Sequence, residues 1–557
     1  MGKDSLYQHP TRSEIIELAV AEGHDADIPS NAGSLGHLPS NSPAPPQKHL
    51  RDKDDPEKPA PLFMDKDLEK DLEKGERPES VSSEEEEVVE EVSENDPNVV
   101  WWDGPDDPQN PMNWPFPKKW GTVILVSAIT FLTPLASSMF APGVPEVMQT
   151  FQSTNDMLQG FMVSVYVLGF AFGPMIIAPL SEMYGRLPLY HSCNTMFVVF
   201  CIAAAVSSNM GMFIVFRFFM GCFGGAPLVL GGGTIADLIS REQRGTAMVV
   251  WMMGPTVGPC VGPIIGGFLT AARGWRWNFW FVAILAGAFT MMSMILMNET
   301  SAPIILERKA KRLRAETGNL KLRSKLASDL SPRDLFTFSI VRPVRMLTRS
   351  AICAAMSVYV AITYAYLYIL FTTFTAVFEN QYHWHGGMVG LSFLGLGLGS
   401  LIGQFVFTRY GNKTANKHLA RGDFKPEHRL YIMCGGGFFL PVGLFWYGWS
   451  VQAQTHYMVP IVGTGVIGFG LLMTFMPANV YLVDVFTVHA ASAMAANTVL
   501  RSLCAALIPL SSQKMYAAMG YGWGNSLLGF VALFLVPIPF LFLRYGERIR
   551  MRSTVNL

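Results

Sequence analysis

Two arginines stand inside apolar runs, where a charge at mid-membrane costs about 2.5–3.5 kcal/mol on insertion scales. Arg217 lies in "MFIVFRFFMGCFGG". Arg501 lies in "AANTVLRSLCAAL", with Asn497 one turn earlier on the same helical face. A guanidinium kept at that cost suits a water-filled cavity, where it binds substrate or tunes a proton site. The bland alternatives are snorkelling for Arg217 and interhelix packing for the Asn497–Arg501 pair. Carboxylates, which could gain and lose a proton, are scarce and stand near the ends of apolar runs. Glu182, Asp237 and Asp484 are the candidate proton or gating groups, with Glu379 near an opposite end. Arg186 and Arg241 are the cations that could gate with Asp237. Asp237 also precedes "LISREQRG", in which Ser240 and Gln243 fit a capping box for the next helix.

Aromatic and amide side chains extend the candidate site. Tyr364 and Tyr368 share one helical face in "YVAITYAYLYILF". Hydroxylated rings suit amphipathic or cationic ligands through stacking and cation–π contact, each worth about 0.5–2 kcal/mol; packing against lipid or helices is the alternative. Gln404 is a single polar residue in a Gly-rich run, either cavity-lining or interhelix glue.

"WMMGPTVGPCVGPIIGGFL" (Trp251–Leu269) sets Gly254, Gly258, Gly262 and Gly266 four residues apart, with Gly267 beside the last, and Pro255, Pro259 and Pro263 in an adjacent stripe. Small residues at this spacing let helix backbones approach in lipid. Each proline leaves a carbonyl without its partner and bends the helix. The expected product is a curved, closely packed helix, either a generic packing face or a pivot and seal between two moving helix groups.

The elements that hold these residues are membrane spans. Half of the 557 residues are hydrophobic and only 15% are charged, against about 25% in soluble domains. Twelve apolar stretches have the length that crosses a hydrocarbon core: 119–141, 157–180, 188–207, 211–236, 246–271, 276–298, 350–378, 386–409, 429–449, 457–483, 490–516 and 525–544. The gap 299–349, with its basic "LERKAKRLRAE", separates a six-span half (119–298) from a second (350–544) and reads as a surface helix or a solvated linker. Residues 1–118, with the acidic run "SSEEEEVVEEVSENDP", read as a disordered cytoplasmic tail, and 545–557 as a short cytoplasmic C-terminal tail. With both termini in the cytoplasm, Lys118, Lys119, Arg186, Arg241, Arg244, the basic central loop, Arg409–Arg429 and Arg544–Arg552 fall inside, leaving Arg273, Arg276 and Lys514 outside.

Several chemistries are excluded. No HExxH, GxSxG or Walker loop occurs, so neither an enzyme nor a direct ATP-driven pump is expected. The seven cysteines lack metal-ligand spacing and read as core fillers, and no cofactor or metal is expected. The net charge of −1 is a cancellation between the acidic tail and basic loops, and implies no nucleic-acid partner.

Twelve spans divided six and six by a basic loop resemble the major facilitator superfamily. "GPTVGPCVGPIIGG" is similar to the fifth-span signature of its proton-coupled antiporters. "APLSEMYGRLPLY" (Ala178–Tyr190) resembles its cytoplasmic loop motif, with Ala178, Glu182, Met183 and Leu187 departing from the usual residues and Arg186 as the only base. "FRFFMGCFGG" resembles its fourth-span motif. The lead-in Asn110–Pro115, and "YLVDVF" followed by "ASAMAANTVLRS", resemble fungal members of the twelve-span drug:proton antiporter group. The resemblance implies an all-α major facilitator fold and proton-coupled export of drugs, polyamines or toxic metabolites by alternating access. The expected partners are a small-molecule substrate, protons and the lipid bilayer. A monomer in the plasma membrane is expected, with the vacuolar membrane as the other location. A same-fold importer and a non-transporting receptor or sensor are the competing readings.

Overall fold

The computed structural model describes residues 98–326, 332–411 and 424–552, with the single positions 413, 417, 418 and 421 between the last two. All of these belong to one contact unit, Glu90–Leu557. The acidic run and the rest of the tail up to residue 97 lie outside the described residues.

Long apolar runs close their backbone hydrogen bonds internally because lipid offers no alternative partners. The first six spans are the helices Phe116–Ser138, Asp156–Tyr184, Arg186–Ala205, Met210–Leu238 (interrupted at Gly225), Arg241–Arg273 and Arg276–Leu296. The later spans begin with Ala351–Tyr382. They continue through the broken eighth, Gly387–Leu391 and Leu394–Val406, then Tyr431–Gly436 with Phe439–Gln452, and Met458–Phe486. Side-chain caps mark several starts: Asn155, Asn209 and Ser350 accept from the backbone N–H groups of Met157, Met212 and Cys353. Ser240 makes no side-chain cap bond, so the expected capping box does not form. Instead Arg244 Nη2 donates to the Ala236 carbonyl at 2.9 Å, closing the preceding helix end.

Eleven helical stretches among the described residues are long and apolar enough to cross a membrane. The last, Ala490–Met551, has 62 residues, about three times what a hydrocarbon core of roughly 30 Å accommodates. It turns at Gly520, whose φ of 73° and ψ of 173° break the helix. The turn separates the stretches expected at 490–516 and 525–544. Outward-facing Ile295, Phe405 and Phe534 are more than two-thirds exposed, an apolar coat suited to lipid.

Two boundaries need correction. Residues 98–118 are ordered rather than part of a disordered tail. Val99–Val100 pairs in parallel with Arg323–Ser324 of the central loop. The central-loop helix Ala302–Thr317 then presents Lys309, whose side chain is 5% exposed, to Asp103 at 2.6 Å and to the buried Asp107 at 3.6 Å. The loop is thus neither a free linker nor a lone surface helix, because its cation is compensated by the lead-in. Its second helix, Pro332–Arg349, packs against the second and eleventh spans. The C-terminal helix continues to Arg552, past the expected boundary at 544.

The apolar core is continuous between the two groups of spans at one end and divided at the other. One cluster joins Leu135, Met139, Phe140 and Trp275 of the first group to Phe374, Phe378, Phe393 and Tyr447 of the second. At the opposite end, Val126, Tyr190, Leu230 and Trp251 form a cluster of the first group alone. Met356, Leu430, Tyr481 and Phe542 form one of the second group alone.

Candidate functional site

The Gly–Pro helix, Arg241–Arg273, has two packing stripes. A Cβ on Gly254 would meet Phe131 Cα at 3.1 Å, and one on Gly258 would meet Leu135 N at 3.0 Å. One on Gly262 would meet Leu135 O at 2.9 Å, and one on Gly266 would strike Met139 O. All four glycines therefore face the first span, within the same half. Of the two readings open from the sequence, these four glycines match the packing face and not a seal between the two halves. Contact between the halves comes from the neighbouring stripe. There Gly267 lies on Gly390, Pro263 and Ile264 on Gly390, Cys260 on Gly397 and Phe268 on Gly387, all across to the eighth span. Thr256 Oγ1 donates to Gln404 Oε1 at 3.5 Å in the same seam. Pro255 and Pro259 are half-buried beside it.

Other bonds between the halves lie toward the end with the shared core. Ser137 Oγ and Tyr368 Oη are 2.9 Å apart. Thr375 donates to the Ala141 carbonyl at 3.2 Å, and Ser164 to the Ala506 carbonyl at 2.8 Å.

The two arginines occupy different surroundings. Arg217 is 0% exposed. It was expected to face water, but Phe140, Tyr166 and Phe279 enclose it, with ring centroids 4.8–5.7 Å from Cζ. Nη2 donates to the Ser137 carbonyl at 3.3 Å and the Val163 carbonyl at 3.5 Å, while Nε and Nη1 have no hydrogen-bond partner. Arg501 is partly exposed and lies over Tyr364 at 4.9 Å and Phe475 at 5.3 Å. Those two rings stack at 5.9 Å, and Tyr364 contacts Tyr368 at 5.4 Å. Side chains thus lead from Arg501 through Tyr364 and Tyr368 to Ser137, whose backbone carbonyl accepts from Arg217. Asn497 does not bond Arg501; its Nδ2 donates to Asn479 Oδ1 at 2.8 Å.

Among the described residues, the ion pairs at the divided end stay within each half. Arg186 Nε is 3.5 Å from Asp237 Oδ2, and Nη1 donates to Ser181 Oγ at 2.6 Å. Thr300 Oγ1 donates to the same Asp237 oxygen at 3.4 Å. Glu182 is exposed and forms no ion pair with Arg186, because Arg186 turns toward Asp237 instead. Glu299 completes the group. Its carboxylate accepts from the backbone N–H groups of Arg186 at 2.9 Å, Leu187 at 3.2 Å, and Thr300 and Ser301 at 3.0 Å. A carboxylate there also complements the positive end of the third span's helix. Gly185 makes room for it: φ is 100°, and a Cβ would strike Glu299 Oε2. In the other half, Arg429 Nε donates to Asp484 Oδ2 at 2.9 Å. The side chain of Arg241 lies outside the described residues.

Sequence reasoning missed Glu299, Arg429, Ser137 and Phe475. Glu299 was visible only as the acid just past the sixth span, and nothing local tied it to Arg186, more than a hundred residues away. Ser137 and Phe475 carry no charge to set them apart from their apolar neighbours.

A family model described as Major Facilitator Superfamily matches residues 126–509. MFS-type transporter tndD of Aspergillus flavipes is 55% identical over 465 residues, covering 82% of this chain and 86% of its own. Efflux pump radE of Floropilus chiversii is 51% identical over 460 residues, with coverage of 82% and 86%. The solved proton:xylose symporter XylE aligns with a TM-score of 0.56 at 15% identity, over 76% of this chain and 96% of that one, a likeness in fold alone. With these matches the chain belongs to the major facilitator superfamily, as a multi-pass membrane transporter of small molecules.

Proposed function

We propose that the protein is a proton-coupled antiporter that exports small amphipathic organic compounds by alternating access. The division of the apolar core carries this reading: the halves share a core around Phe140 and Phe374 and separate into independent cores at the other end. That is one of the two end states of a rocking transporter. The basic loops stand at the divided end, so by the positive-inside rule the opening faces the cytoplasm, with both termini there. The plasma membrane is the proposed location. The efflux-pump relative supports export rather than uptake.

Arg186 with Asp237 and Glu299, and Arg429 with Asp484, act as gate groups whose pairing within each half holds the cytoplasmic ends apart. Asp237 and Asp484 are the candidate proton carriers; exposed Glu182 is the weaker third. Arg501, Tyr364, Tyr368, Gln404 and Asn497 line or support the substrate site, and enclosed Arg217 couples to it through Ser137 and Tyr368. The membrane potential contributes about 2.3 kcal/mol per charge for each 100 mV.

The test is flux in proteoliposomes of the full chain, with and without an imposed pH gradient. Gradient-dependent accumulation of amphipathic dyes is the expected result. Equal movement in both conditions refutes proton coupling.

A further inference from the structure

We propose that the central site takes organic anions, namely flat aryl carboxylates, rather than polyamines or lipophilic cations. This proposal rests on the exporter reading above and narrows its cargo.

The first ground is the sign of the charge. Among the described residues, Arg217 and Arg501 stand well inside their spans. The carboxylates Glu182, Asp237 and Asp484 lie near the divided ends, and Glu379 three residues from an opposite end. A protonated amine would find no counter-charge at mid-depth and two guanidinium groups of its own sign.

The second ground is what Arg501 lacks. A guanidinium has five N–H donors, yet Arg501 forms no hydrogen bond and no ion pair among the described residues, and its Nε is buried without a partner. Asp484, on the adjacent helix, is already engaged by Arg429. The Tyr364 and Phe475 faces attract the charge but accept no in-plane N–H bond. A carboxylate accepts two parallel N–H bonds from a guanidinium in a geometry that matches its fork.

The third ground is the shape of the surroundings. Tyr364 and Phe475 stack at 24° beside the guanidinium, a wall suited to a flat aromatic body. Both rings already face Arg501, which reduces their worth to a cationic ligand. One turn away, Asn497 Oδ1 is buried and has no donor. A hydroxyl next to the ligand's anionic group would supply one.

The experiment uses the purified full-length protein in lipid nanodiscs and calorimetric binding of three matched probes: 2-naphthoate, its neutral methyl ester, and protonated 2-naphthylmethylamine. The expected order is acid at least tenfold tighter than ester, with the amine weakest. Arg501→Gln should reduce the acid's affinity to that of the ester and leave the ester within twofold. Arg501→Lys should keep part of the preference. Asn497→Asp places a carboxylate beside Arg501, so it should weaken the acid at least tenfold and strengthen the amine, a reversal that misfolding would not produce. Amine binding equal to or tighter than acid binding overturns the proposal. So does an acid-to-ester ratio unchanged in Arg501→Gln, or a lack of binding by all three probes. Acid selectivity without gradient-driven flux of any compound would sink the exporter reading and leave the charge assignment standing. Gradient-driven flux with amine preference would do the opposite.

Discussion

Gly390→Ala tests whether the seam between the fifth and eighth spans closes the molecule at the shared-core end. A Cβ at Gly390 would strike Pro263 O and meet Ile264 Cα at 3.0 Å. Both are backbone atoms, so no rotamer change relieves the clash; the helices must separate. Overpacking of this kind costs about 1–3 kcal/mol. If that cost falls only on the conformation in which these helices touch, the equilibrium shifts by about 5–150-fold toward the state open at this end. Thr375→Cys gives a readout, since Thr375 is 4% exposed and bonds the Ala141 carbonyl just past the first span. Cys222, Cys260 and Cys504, the partly exposed cysteines, are replaced by alanine, and labelling by a membrane-impermeant maleimide is timed. Gly390→Ala should accelerate labelling by at least fivefold with little change in melting temperature. Gly266→Ala, which strikes Met139 O inside one half, should lower the melting temperature without accelerating labelling. If both variants label at the parental rate, or Gly266→Ala accelerates labelling while Gly390→Ala does not, the assignment of seam and ribbon is wrong.

Other outcomes follow from the same contacts. Lys309→Ala leaves Asp107 buried without its cation and should cost about 3–5 kcal/mol, read as a lower melting temperature; Asp103→Ala should cost little, because Asp103 is 77% exposed. Burial pushes the Asp107 carboxyl up, but the backbone N–H groups of Asp103 and Gln109 together with Lys309 outweigh it and hold the group below its usual value. Its contribution is therefore present above about pH 4 and is lost as pH falls further, which melting of Asp107→Asn and parent across pH 3–6 would show as convergence at the acid end. Glu299→Ala strips an acceptor from four N–H groups and should destabilise by about 1–3 kcal/mol, whereas Glu182→Gln should leave the melting temperature unchanged, because Glu182 is exposed. Tyr368→Phe removes the Ser137 bond between halves; at about 0.5–1.5 kcal/mol it should speed the Thr375→Cys labelling by about 2–13-fold.

The spans were legible because lipid forces a single solution on a long apolar run, and that solution depends on length rather than on partners. The break between 490–516 and 525–544 was legible from length alone, but not that Gly520 carries it, since "AAMGYGWGNS" offers three glycines. The lead-in was misread because composition reports the average of a segment. Residues 98–113 share the polar character of the tail, but Asp103 and Asp107 gain order from Lys309, whose approach depends on the tertiary fold. The same limit applies at the site. Arg217 and Arg501 were conspicuous by charge, while what surrounds each was not. One meets three rings and two carbonyls, the other two rings and no acceptor.

The fifth span shows why a glycine row need not mark the moving surface. Gly254, Gly258, Gly262 and Gly266 drift by about 40° per step, since four residues exceed one 3.6-residue turn, and the first span follows them with backbone contacts along the whole ribbon. Such contact is hard to break and hard to slide, because every step sets backbone against backbone. The two helices therefore move as one body. Across the other stripe, Gly267 and Gly390 touch near the closed end, Cys260 and Gly397 farther along, and the weak Thr256–Gln404 bond deeper still. Backbone meets backbone in this seam only around Gly267 and Gly390; beyond them, small side chains in dispersion contact separate at modest cost and re-form without threading past one another. In the proposed alternating-access cycle, rocking thus belongs to the face shared with the eighth span, and the glycine ribbon makes the fifth and first spans rigid enough to carry that motion to Ser137 and the proposed site beside Tyr368.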